Sequence, residues 1–283
     1  MTSERARHGA STIHGPRTSA GARRSRTPSA RRGPRARQSE LFAPRSGGAR
    51  RGAGRKPKGA RALVSHARRA PLDARHPVHV TTRLRAGLPS LRRVDELRVL
   101  LQSFRAAQSR PGMRLVHFSI QSNHLHLIVE AQDELALARG VQGLLVRVAR
   151  ALNRCWARAG KLFADRYHAH VLRTALEVRR ALVYVLQNAR KHGLVLRSVD
   201  AFSSGAWFEG WAELPGLRQR LQGIAKRLRG LVDAGNRERE PCAENPWTTA
   251  QAARGGIVER ARTWLLASGW RRHGAIQLLE RPR

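Results

Sequence analysis

The run His124-Leu125-His126-Leu127-Ile128-Val129 allows few folds. Imidazole alternating with leucine, followed by unbroken apolar residues, is the pattern of a β-strand. Successive side chains of a strand point to opposite faces, so both histidines share one face and Leu125, Leu127 and Val129 the other. A strand buried on its leucine side needs sheet neighbours and a layer packed beneath it. Two imidazoles on one face can hold a metal, and they serve equally well as packed polar residues.

The flanking sequence supplies those neighbours. Val78 to Leu84 alternates and is β-branched, which predicts a first strand with Val78, Val80 and Leu84 facing a core. From Ser90 to Gln108, Leu91, Val94, Leu97, Leu101 and Phe104 recur at three- and four-residue steps and predict an amphipathic helix. Arg114 to Gln121 predicts a strand with Val116, Phe118 and Ile120 on one face. Ser122-Asn123 then turns it into the histidine strand as an antiparallel hairpin. Asp133 can cap the next helix, with a buried stripe of Val141, Leu144, Leu145, Val148, Leu152 and Trp156 and a stop at Gly160. Arg147, Arg150, Arg154 and Arg158 follow at helical spacing, either tracking a phosphate backbone or forming a solvated face. After a connector at 162–167, His168 to Arg173 predicts a fourth strand. The order strand, helix, strand, strand, helix, strand predicts an α+β fold, a ferredoxin-like antiparallel sheet with helices, beginning near Pro77.

Composition constrains the partner. The 283 residues carry 55 basic against 19 acidic side chains, a formal charge of +36. Such an excess calls for a polyanion, with nucleic acid first. Residues 1–75 hold 20 basic and 3 acidic residues with almost no periodic apolar positions, which predicts a disordered Arg-rich tail. Within it, Arg51-Gly52-Ala53-Gly54-Arg55-Lys56-Pro57-Lys58 resembles an AT-hook for the minor groove, against the plainer reading of unspecific phosphate contacts. Cys155 and Cys242 form neither a disulfide framework nor a zinc motif. With no apolar signal core and no membrane-length apolar run, the expected place is the cytoplasm, at the nucleoid. Three divisions follow: the tail at 1–75, a domain at 76–195, and a helical C-terminal extension at 196–283. In that extension Trp207, Phe208, Trp211 and Trp264 either close a small core or stack on bases.

A second constellation lies downstream. Thr174-Ala175-Leu176-Glu177 is a capping box that should open a helix running to Gly193. On it, Tyr184 and Asn188 are four residues apart and fall on one face. The histidine pair on a strand, the Phe163-Ala164-Asp165-Arg166-Tyr167 connector and Tyr184-Val185-Leu186-Gln187-Asn188 before Ala-Arg-Lys-His-Gly resemble the HUH nucleases. The resemblance is to the single-tyrosine transposases of small insertion sequences and their REP-associated relatives, and it covers about residues 76–195. Ser122 stands where the family usually has Pro, and Asn188 where some members have Gln.

The resemblance implies phosphodiester transfer on single-stranded or hairpin DNA. Tyr184 would be the nucleophile, with Mg²⁺ or Mn²⁺ held by His124, His126 and Asn188, and a 5′-phosphotyrosine would form beside a free 3′-hydroxyl. Those three ligands are neutral, so a hard cation would bind tightly only with DNA phosphate in its shell. Gln187 is the alternative third ligand, His168-Ala169-His170 the alternative pair, and Tyr167 the alternative nucleophile. His79 and His117 can line the site or bind backbone, the second being favoured. Action of Tyr184 within one subunit or across a homodimer stays open, as does a catalytically silent DNA-binding protein of the same fold.

Overall fold

The computed structural model describes residues 71–108, 112–237 and 256–282, so the expected disordered tail and AT-hook fall outside the described residues, save for 71–75. There Leu72 is buried with the core, so order reaches back beyond Pro77. Four strands, β1 (Val78–Arg83), β2 (Met113–Ile120), β3 (His124–Ala131) and β4 (His168–Val171), form one antiparallel sheet in the order β2-β3-β1-β4. With α1 (Val94–Ala107) between β1 and β2, and α2 (Glu134–Cys155) between β3 and β4, this is the ferredoxin-like arrangement.

The sheet is covered on both sides. Val78, Val80, Leu115, Phe118, Ile120, Leu125, Leu127 and Val129 pack against α1 and α2 through Leu97, Leu101, Phe104, Val141, Leu144, Val148 and Leu152. Gly140 permits the close seat of α2 on Met113, whose sulfur would lie 2.5 Å from an added Cβ. On the opposite face, Ile128 and Val116 meet α3 (Ala175–Leu186) and the C-terminal residues Phe208, Trp211, Leu266 and Trp270. Regular alternation would set Val116 beside Phe118, but a β-bulge between Leu115 and His117 turns it to the α3 side.

Other departures have local causes. Helix α1 starts at Val94 rather than Ser90, and Val94 is 63% exposed. The preceding loop is drawn across the β2–β3 turn: Leu91 N–H donates to the Ser122 carbonyl, and Arg92 pairs with Asp200 through two 2.8 Å bonds. Asp133 caps α2 as expected, accepting from Ala136 N–H at 2.7 Å. The helix ends at Cys155, so Arg158 lies past it and folds back onto Asn153 instead of extending the arginine row. Strand β4 stops at Val171, two residues short of the expected end.

Residues 196–237 and 256–282 pack on the sheet, α1 and α3. Helix α5 (Leu217–Arg237) and the short α6 (Trp264–Ala267) are accompanied by single turns at Ser204–Trp207 and Gly269–His273. Trp211 and Trp270 are buried while Trp264 is 52% exposed, so packing claims most of these aromatics. The anchor of α6 is Glu130 of β3, 1% exposed: its carboxylate accepts from Arg262 N–H, from Thr263 N–H and hydroxyl, and from Arg114. Removing one member of a buried charge network strands the others, so Glu130→Ala should cost roughly 3–5 kcal/mol of stability, read from urea unfolding.

Candidate functional site

The β-pleat decides which side chains meet. Thr81 is the cross-strand partner of His126, Arg83 of His124, and His79 of Ile128, so His79, Thr81, His124 and His126 share the α3-side face. The rings of His124 and His126 lie 4.8 Å apart, edge to face. Asn123 Oδ1 accepts from Nδ1 of His124 at 2.8 Å, and because an amide oxygen only accepts, His124 is protonated at Nδ1. Nδ1 of His126 lies 3.1 Å from Thr81 Oγ1 and 3.2 Å from His79 Nε2, while its own Nε2 is buried without a hydrogen-bond partner.

Helix α3 brings Tyr184 to this cluster. Its capping box forms, with Glu177 N–H donating to Thr174 Oγ1 at 3.2 Å and the Glu177 carboxylate accepting from Thr174 N–H. The ring of Tyr184 meets His126 edge-on at 5.1 Å and His79 at 5.8 Å. The helix does not run to Gly193 as its sequence suggests. It breaks at Gln187 (φ −110°, ψ 14°), and a single further turn, α4 (Asn188–Lys191), follows.

At the break the Gln187 side chain is tied to the C-terminal segment. Its amide N–H groups donate to the carbonyls of Gln277 and Leu278, and its oxygen accepts from Arg190. Both amide hydrogens and one lone pair of Gln187 are thus committed to protein partners. Asn188, by contrast, is fully buried, and both its amide atoms lack a partner. It sits between two contacts with the cluster: Tyr184 against His126, and His192 with its ring 5.7 Å from that of His124. Lys191 places its ammonium 4.7 Å over the Tyr184 ring.

Among the described residues no three His, Cys, Asp or Glu side chains form a metal cluster, so a cation held by the two imidazoles would need an amide such as that of Asn188, or oxygens of its substrate, to complete its shell. An orphaned amide, an orphaned Nε2 and imidazoles held neutral suit that role. Loss of hydration on burial pushes His126 down to about 2, helped by His79, His124, His192 and Lys191, and pushes His124 to about 4, helped by Arg83 and His192.

The alternatives differ in where they lie. His168 and His170 are exposed on the edge strand β4, yet as cross-strand partners of Thr81 and His79 they share the face of the cluster and stand at its rim. Tyr167 packs half-buried against the core. His117 bonds the Ser204 hydroxyl at 3.2 Å, away from the pair. His79, by contrast, lines the site. Its alternation with Val78 and Val80 is the signal that places it on the face of His126. Lys191 and His192 were visible only as part of a motif, because the turn that swings them in follows the break at Gln187.

Burial holds His79, His117 and His124 at about 4 and His126 at about 2, whereas an unfolded histidine titrates near 6.5. Below pH 6.5 the unfolded chain therefore binds more protons, so stability is full above that pH and is lost as pH falls toward 4. The urea midpoint should drop between pH 7 and pH 4.5, and His117→Gln should flatten that slope.

Residues 78–188 match the model of the family described as "Transposase IS200 like". Among solved structures, one described as a REP-associated tyrosine transposase bound to a REP hairpin aligns at 18% identity and a TM-score of 0.41, covering 50% of this chain and 82% of that one. No curated protein matches the chain. Among the described residues, no helix is long and apolar enough to cross a membrane.

Proposed function

We propose that this chain, whose residues 78–188 match the IS200-like transposase family model, nicks and rejoins single-stranded or hairpin DNA with Tyr184 as the nucleophile. The observation that carries the reading is the convergence of Tyr184 on His126, whose Nε2 is buried without a partner, four residues before an Asn188 whose amide is also buried and unpartnered.

In the proposed step the Tyr184 phenolic oxygen attacks the scissile phosphorus. One P–O bond forms as the bond to the 3′-oxygen breaks, the phenolic proton passes to solvent, and the departing 3′-oxygen takes up a proton. The products are a 5′-phosphotyrosine and a free 3′-hydroxyl. Attack by a different 3′-hydroxyl reverses the exchange and joins new ends without a high-energy cofactor. His124, His126 and Asn188 would hold Mg²⁺ or Mn²⁺, which supplies charge neutralisation and polarisation at the phosphate. Half-burial of Tyr184 between His79 and His126 fixes the line of attack, and orientation of this kind supplies much of the rate in phosphoryl transfer. Lys191, over the phenol ring, adds positive charge where the phosphodiester must approach. The net charge of +36 supports a DNA partner and predicts binding that weakens as salt is raised.

Labelled hairpin DNA from the flanks of the gene, incubated with the protein and Mn²⁺ and run on a denaturing gel, should give a protein-linked band. The band should vanish in Tyr184→Phe with DNA binding retained, and cleavage should be lost in His124→Ala. Salt-dependent binding without any adduct would leave a silent DNA-binding protein.

A further inference from the structure

We infer that His79 and Thr81 are positioning residues which hold His126 as its Nδ1–H tautomer and so aim the lone pair of Nε2 into the site. This rests on the reading that His126 ligates a cation, and it names the residues that make His126 able to do so.

A neutral imidazole carries its proton on one nitrogen and a lone pair on the other. If Nε2 of His126 bore the proton, a buried N–H would point at nothing, since Nε2 has no hydrogen-bond partner. Nδ1, in contrast, faces two groups able to accept: Thr81 Oγ1 at 3.1 Å and His79 Nε2 at 3.2 Å. One N–H shared between two acceptors satisfies Nδ1 and leaves Nε2 as the free donor atom.

The other imidazole of the pair is built the same way, with Asn123 Oδ1 fixing Nδ1–H on His124. The sheet makes the arrangement rigid, because Thr81 is the direct cross-strand partner of His126 and His79 lies two residues along the same face. His79 also touches the ring of Tyr184 at 5.8 Å, so one side chain sets both the ligand and the flank of the nucleophile. Outer partners of metal-bound histidines generally fix tautomer and ring orientation, and losing them weakens metal binding about 10–100-fold.

The test uses the full chain labelled with ¹⁵N-histidine, with His126 assigned through His→Gln variants, alongside calorimetric titration with Mn²⁺ in the presence of a DNA oligonucleotide. Wild-type protein without metal should show His126 as Nδ1–H. Combining His79→Leu with Thr81→Val removes both acceptors at similar volume. It should shift His126 toward the Nε2–H form and weaken Mn²⁺ about 10–100-fold. His79→Gln with Thr81→Ser keeps acceptors and should restore wild-type metal affinity. Should the double variant fail to fold by circular dichroism, the wild-type tautomer and the Thr81→Val single variant decide. An Nε2–H tautomer in wild type, or Mn²⁺ affinity unmoved by the variants, overturns the inference and leaves the proposed function standing. Wild-type protein with the Nδ1–H tautomer that takes up no Mn²⁺ overturns instead the metal reading on which the role depends.

Discussion

Everything at the site depends on burying a polar sheet face. The α1 and α2 side of the sheet is apolar and would form in any sheet of this pattern. The opposite side carries His79, Thr81, His124 and His126 and closes only because α3 lies against it. A single helix is a weak lid unless it is held in turn, and residues 274–280 hold it. Arg179 donates to the carbonyls of Gly274 and Ala275 and pairs with Glu280, while Gln187 donates to the carbonyls of Gln277 and Leu278. The tyrosine is thus placed by contacts some ninety residues away in sequence. Glu130 extends the same logic, since the strand that carries both histidines also anchors α6 through Thr263.

This explains which parts of the fold could be read from the sequence. Strand alternation and the capping residues Asp133 and Thr174 are local signals, and the elements they mark lie where expected. What failed was set by distant partners or by the backbone itself. Nothing near Ser90 announces that Arg92 will reach Asp200 and hold the chain extended before α1. Nothing in the residues around Val116 distinguishes a bulged strand from a regular one, because a bulge adds a residue without changing composition.

The candidate site divides the same way. His124 and His126 declare themselves by spacing, and Tyr184 by its capped helix. Asn188 and Gln187 are adjacent amides that no local rule separates. They differ because the backbone carbonyls of Gln277 and Leu278 claim one and leave the other buried and unpaired. The break at Gln187 also changes how Asn188 is presented: it opens α4 in place of continuing the face of Tyr184. Sequence spacing of four residues brought both to attention for a reason the backbone does not follow.

Charge completes the argument. A chain at +36 would repel a divalent cation from an exposed basic surface, and Arg83, Lys191 and His192 stand close enough to depress the site histidines. On the proposed reading those same charges favour the phosphodiester, so the anion draws in first and lowers the local potential for the cation. Neutral donors suit that order of events. Carboxylates in their place would bind metal without DNA and would repel the substrate, whereas imidazoles and an amide leave the charge balance to the phosphate itself.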